Sequence, residues 1–146
     1  MNYKQRSDLK DCIINDIASH DWKSIFCKDK SGKIQDFFID ENTAKKMTED
    51  GIALGCFYSE ESYENILKKT IGNYADSIIN FIESKRPIKT ITVEYTDNIG
   101  FVLENNQKRN TNRISFVLIK DKTNSTKYGF IISNFVPIDG AKVWIR

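Results

Sequence analysis

The chain has 146 residues, 40% of them hydrophobic and 29% charged, with a formal net charge of +2. That is the composition of an ordinary globular protein, long enough to bury about two thirds of its unfolded surface without a disulfide or a metal. No apolar run approaches the ~20 residues that span a bilayer, and the N-terminal MNYKQRSDLKDC lacks the apolar core of a signal peptide, so the expectation is a cytoplasmic chain, mature as written, forming a single domain over residues 1–146.

Along the chain the charge is uneven. Residues 1–83 hold 11 Lys+Arg against 15 Asp+Glu, and residues 84–146 hold 11 against 5. A basic C-terminal half points to a polyanion or an acidic partner, with solubilised sheet edges as the plainer reading. Cys12, Cys27 and Cys56 are odd in number and form no CxxC pair, which argues against a disulfide framework or a zinc site and for small buried hydrophobes.

Ser7 is read as an N-cap, and Leu9, Ile13 and Ile17 recur every four residues, which predicts an amphipathic helix of about three turns ending near His20. Residues 25–27 are too short to assign, and residues 29–32 signal a turn. Residues 33–39 predict a short strand, with Phe37 and Ile39 on one side and Phe38 on the other. Asn42 and Thr43 predict the cap of a helix over residues 44–50 that stops at Gly51.

Ser59, Glu60 and Glu61 place a cap and first-turn carboxylates ahead of a stripe formed by Tyr63, Leu67, Tyr74, Ile78 and Ile82. This predicts one helix of about six turns, with a core-facing stripe, stopped by Pro87. The period then changes to two: residues 88–96 predict a half-exposed strand, and a turn at Asp97 and Asn98 leads to residues 99–103 as its hairpin partner. Residues 104–112, ENNQKRNTN, are polar throughout and predict a loop suited to function. Residues 114–120 and 128–135 are β-branched and aromatic runs around a polar turn, predicting the central hairpin of a sheet. A last strand is expected over residues 141–146, with Trp144 packed inward. The fold class is α+β: N-terminal helices packed on a four- to five-stranded antiparallel sheet.

No GxGxxG, GxxxxGKS or GxxxxGKT, HExxH or GxSxG occurs, which argues against nucleotide hydrolysis, dinucleotide redox chemistry and zinc peptidase activity. The single histidine excludes a His-rich metal site; a carboxylate site for a divalent ion stays open, and no cofactor is expected. What remains is basic and hydroxyl-rich: Lys108, Arg109, Thr111 and Arg113 before the central hairpin, Lys127 and Tyr128 at its second strand, and Ser133 and Asn134 near its end. Metal-free RNA cleavage needs a base for the 2′-hydroxyl, cations for the charged transition state and an acid for the departing oxygen. Arginine and lysine serve the second need. His20 suits the first or third near neutrality, with Glu94, Glu104 or a lysine of depressed pKa as substitutes. The plainer readings are a helix-end or surface role for His20 and a solvated loop for Lys108, Arg109 and Arg113.

The late segments RNTNRISFVLIKD and KYGFIISNFVP, following N-terminal helices, resemble the catalytic domains of the barnase, EndoU, colicin and RelE-like ribonuclease superfamily, which includes toxin domains of contact-dependent inhibition and other polymorphic toxin systems. Arg113, Ser115, Gly129, Ser133, Asn134, Phe135 and Pro137 carry the match, over about residues 60–137. The resemblance implies a toxin-like, metal-independent endoribonuclease acting on structured RNA such as tRNA, with His20, Arg109, Thr111, Arg113, Ser133 and Asn134 catalytic and Lys108, Lys127 and Tyr128 binding RNA. Such domains are commonly more basic than this chain. A non-enzymatic binding protein, such as an immunity protein or a phage-encoded inhibitor that occludes a partner, is the reading held beside it.

Overall fold

The structure, a computed structural model, describes residues 2–28, 33–123 and 126–140. Its first helix, α1 (Tyr3–Ile17), begins one turn before the expected start. Asn2 is the N-cap, joined to Gln5 in a reciprocal capping box, and Ser7 lies inside the helix. Ile13 and Ile17 are buried on the expected stripe, whereas Cys12 is exposed, so only Cys27 and Cys56 are buried cysteines. Of the unassigned residues 25–27, Ile25 and Phe26 belong to a short helix, α2 (Trp22–Phe26), with Cys27 as its C-cap; Trp22 and Phe26 are core.

Residues 33–39 do not form the predicted strand. Their ladder is limited to an isolated bridge, Lys28 with Ile34, and Phe37 N–H donates instead to the Tyr63 hydroxyl at 3.4 Å. Helix α3 (Glu41–Met47) starts earlier than expected because Asp40, rather than Asn42, accepts the capping bond from Thr43 N–H. The predicted six-turn helix is two, α4 (Glu60–Asn73) and α5 (Ala75–Glu83). They part at Tyr74, directly after Gly72 and Asn73, whose helix propensities are poor. Burial continues through the break, from Tyr63, Leu67 and Ile71 to Ile78, Ile79 and Phe81.

Among the described residues there are six strands: β1 (Leu54–Phe57), β2 (Ile88–Glu94), β3 (Gly100–Glu104), β4 (Gln107–Thr111), β5 (Arg113–Lys120) and β6 (Phe130–Ile138). Instead of one sheet of four or five strands there are two of three, ordered β1-β3-β4 and β2-β5-β6. The central hairpin is present, with β5 in the middle of its sheet and Asp121 N–H bonded to Gly129 O at 2.9 Å. The expected β2–β3 hairpin is absent: β3 pairs antiparallel with β1 and β4, while β2 lies beside β5. The predicted functional loop is largely strand. Asn105 and Asn106, at φ 51° and 64°, make the two-residue turn that sets Glu104 opposite Gln107. Tyr95 N–H to Asn112 O (2.7 Å) and Ile99 N–H to Thr111 O (2.8 Å) show the cause. Residues 88–104 and 107–120 are the arms of one long hairpin that bends where residues 95–99 bulge, and each half of it joins a different third strand.

By its contacts the chain resolves into two compact units, one comprising Met1–Asp36, Leu67–Lys89 and Val117–Ser133, the other Phe37–Ile66, Thr90–Phe116 and Asn134–Arg146. In the first, Phe26 stacks with Tyr128 at a ring distance of 5.9 Å and meets Phe130 in a tilted pair at 5.7 Å. In the second, α3 covers the β1-β3-β4 sheet through Ala44, Leu54, Cys56, Phe101 and Leu103. Gly55 there is required by a close approach: a Cβ at this position would overlap the Pro137 carbonyl. The strand expected over residues 141–146, Trp144 included, and the turn over residues 29–32 lie outside the described residues.

Candidate functional site

The residues singled out from the sequence fall into both units. His20, Lys127, Tyr128 and Ser133 belong to the first; Lys108, Arg109, Thr111, Arg113 and Asn134 belong to the second.

In the first unit the centre is a residue that sequence reasoning missed, Asp16, in the last turn of α1. Its carboxylate accepts hydrogen bonds from the Tyr128 hydroxyl and from Lys127 Nζ, the latter at 3.1 Å. Burial raises the Asp16 pKa, but the bonds from Tyr128 and Lys127 outweigh it and hold the carboxyl below its ordinary range. Burial, then the bond to Asp16, pushes the Tyr128 phenol well up. At neutral pH the pair is therefore an ionised acceptor and a protonated donor. Lys127 also lies over the Tyr128 ring at 5.4 Å. His20, four residues beyond Asp16, is exposed in the turn after α1 and makes no hydrogen bond or ion pair among the described residues. Cys27 is no nucleophile, because burial pushes its thiol up to about 12. Lys120 is a lysine whose pKa burial lowers, yet its Nζ is committed to the Ile82 carbonyl at 2.6 Å.

In the second unit the cations of the KRNTNR segment are paired. Lys108 meets Glu41 and lies over the Phe101 ring at 4.8 Å. Arg109 bonds Asp139 at 2.6 Å and Glu104 at 3.1 Å, and its Nη2 is buried without a partner. Arg113 lies 4.0 Å from Glu94. The Thr111 hydroxyl donates to the Ile138 carbonyl. Arg109 and Thr111 therefore tie β4 to the end of β6.

Asn134 is different in kind. It sits within β6 at φ 56°, and its Oδ1 is buried with no hydrogen-bond partner among the described residues. Around it the inward-facing positions change parity, from Phe130 and Ile132 to Phe135, with Ser133 and Asn134 both half-buried between them. A left-handed residue inside a strand, at the point where its burial pattern changes phase, has the signature of a bulge. A left-handed asparagine is tolerated better than most residues, but an unsatisfied buried carboxamide persists only where the surroundings hold it. The sequence carried part of this signal, since ISNFVP interrupts an apolar run with two polar residues.

Among the described residues no group of three or more His, Cys, Asp or Glu side chains could hold a metal ion, and no helix is long and apolar enough to cross a membrane.

No protein-family description and no curated protein matches the chain. Among solved structures it is similar to one described as the crystal structure of a CdiA-CT/CdiI complex from Y. kristensenii 33638, at 14% identity and a TM-score of 0.53 over 66% of this chain and 86% of that one. At this identity the likeness is one of fold.

Proposed function

We propose that the chain belongs to a toxin–immunity system of the contact-dependent-inhibition kind and is its toxin, a metal-independent endoribonuclease acting on structured RNA such as tRNA. The observation that carries this reading is the β6 bulge. Ser133 and Asn134 present a hydroxyl and a strained carboxamide side by side, on the segment through which the sequence resembles ribonuclease toxins, and strain of this kind clusters at active sites. The fold likeness to a structure of a CdiA-CT/CdiI complex supports membership of such a system, for toxin and immunity protein alike.

In this reading Ser133 and Asn134, consecutive in the chain, donate to the phosphate oxygens as charge develops on them, and Lys127, held by Asp16, binds RNA in the first unit. Tyr128, kept protonated, is a donor and not a base. His20, exposed and unpaired, exchanges the proton of the 2′-hydroxyl or of the leaving oxygen. Arg109 and Thr111 position the β4 and β6 termini rather than touching RNA.

The test is purified protein with bulk tRNA in EDTA. Cleavage should leave 2′,3′-cyclic phosphate ends, and Ser133→Ala or His20→Ala should each lower the rate about 100-fold, the scale of a lost donor or acid–base group, with circular dichroism unchanged. Wild-type protein that cuts no RNA at micromolar concentration would sink the reading.

A second reading rests on a separate observation. With Lys108, Arg109 and Arg113 all beside carboxylates, the KRNTNR segment offers little net charge to RNA and suits an immunity-type protein that covers a partner. A stoichiometric protein complex, without RNA cleavage, would favour it.

A further inference from the structure

The basic groups of this chain are sorted differently in space than along the sequence. The first unit holds 15 Lys+Arg against 9 Asp+Glu, the second 7 against 11. The excess positive charge therefore belongs to the unit that does not contain the KRNTNR segment.

Within the first unit it concentrates where α5 hands over to β2. Lys85 and Arg86 lie in that connection, Lys89 is the second residue of β2, and Lys122 follows the end of β5. Lys120 N–H bonds Pro87 O at 2.9 Å, which brings the Lys122 end of β5 beside Lys85 and Arg86. None of the four makes an ion pair or hydrogen bond through its side chain among the described residues. Lys85, Arg86 and Lys122 are exposed and Lys89 is half-buried. The nearest carboxylates in sequence are occupied: Glu83 by Arg6, and Asp121 by the backbone and hydroxyl groups of Thr123 and Thr126.

The ordinary reason for cations at a helix C-terminus is to satisfy its carbonyls and dipole. Here that role is filled by other groups. Lys120 Nζ donates to Ile82 O at 2.6 Å, and Ser84 Oγ donates to Phe81 O at 2.7 Å. The same Ser84 hydroxyl accepts from Arg86 N–H at 3.3 Å, so the backbone that carries Lys85 and Arg86 is held in place. Four cations without partners among the described residues, two of them on a backbone held by Ser84, remain for an external anion.

We propose that Lys85, Arg86, Lys89 and Lys122 form a docking strip for the phosphate backbone of the RNA substrate, apart from the residues assigned to cleavage. The choice of RNA rests on the ribonuclease reading; the strip itself rests on the unpaired cations. Recognition is by charge and carries no base sequence.

The probe is a fluorescein-labelled 2′-O-methyl oligouridine, which lacks the nucleophile for cleavage, titrated by anisotropy with the full chain between 50 and 200 mM KCl. Neutralising four phosphates of a single strand gives a log–log salt slope of about −3, so affinity falls roughly 50-fold across that range. The variant K85E/R86E/K122E should bind at least about 30-fold more weakly at 50 mM, with a slope near −1, and should melt at the wild-type temperature. Lys4→Glu, the same kind of charge reversal at a single exposed position of α1, should leave binding unaltered. A triple variant that binds like wild type, or wild type that fails to bind at roughly 10 µM in 50 mM salt, overturns the strip. Equal competition by polyglutamate overturns the choice of RNA in favour of an acidic protein. Binding without cleavage of natural tRNA removes the ribonuclease reading and leaves the strip; cleavage without binding to this surface does the reverse.

Discussion

Replacing Asn134 by glycine separates strain from function at the β6 bulge. At φ 56° with a buried, unpartnered Oδ1, the native residue carries two costs. A left-handed conformation costs an L-residue about 1–2 kcal/mol, toward the low end or below it for asparagine, and an unsatisfied buried polar atom about 1–3 kcal/mol. Glycine removes both, but adds about 0.5–1 kcal/mol of unfolded-state entropy. The net expectation is a gain of about 1–2 kcal/mol, or ~3–6 °C in Tm for a chain of this length. Urea denaturation followed by circular dichroism should show a higher midpoint at constant slope. In the same preparation RNA cleavage should fall about 100-fold, the cost of one preorganised donor. Asn134→Ala, which keeps the left-handed backbone at a higher cost than asparagine and loses the amide, should show the same loss of activity with a smaller gain in stability than glycine. A fall in the urea midpoint of Asn134→Gly would mean that the carboxamide makes a bond the fold needs, and the strain argument would fail. Higher stability with full activity would mean that the strain serves nothing in catalysis.

Asp121 anchors the turn of the central hairpin. Bonds from Thr123 and, against the opposing effect of burial, from Thr126 hold its carboxyl far below the ordinary value. Its contribution is therefore complete above the unfolded pKa of about 3.9 and disappears as pH falls through the lower folded value. Asp121→Asn should cost about 1–2 kcal/mol at pH 7 and flatten the loss of stability below about pH 4, measured as urea midpoints against pH; an acid limb as steep as wild type would contradict this. Gly55→Ala and Gly72→Ala should have opposite effects in thermal melts. The first sets a Cβ against the Pro137 backbone, with Pro137 C at 2.9 Å, and should cost about 3 kcal/mol or more. The second, helical and with nothing within 4 Å, should gain about 0.5–1 kcal/mol; equal effects would show that close approach at Gly55 is not what the position requires.

The candidate site was legible only where chemistry and chain position coincide. Ser133 and Asn134 stand out as polar residues in an apolar strand, and the structure adds the bulge. The KRNTNR segment looked like an open basic loop because its partners are remote: Glu41 comes from α3, and Asp139 follows β6. Asp16 was missed for the same reason, lying 112 residues from Tyr128. The basic group near α5 was visible as Lys85-Arg86-Pro87 but read only as a helix stop, because Lys122 joins it through the pairing of β5 with β2.

What the sequence by itself determined is local: the amphipathic stripes of α1, α4 and α5, the apolar runs of β5 and β6, and the α+β class. Side-chain period and β-branching act over a few residues and need no knowledge of a partner. Tertiary structure decided the rest. Residues 88–104 could have folded back on themselves; they instead form one arm of a longer hairpin, because β3 gains β1 through Leu54–Leu103 and Phe57–Gly100 pairing. It likewise decided which charges cancel, since ion pairs depend on which remote carboxylate the fold delivers, and so left Lys85, Arg86, Lys89 and Lys122, rather than Lys108 and Arg109, without a partner among the described residues.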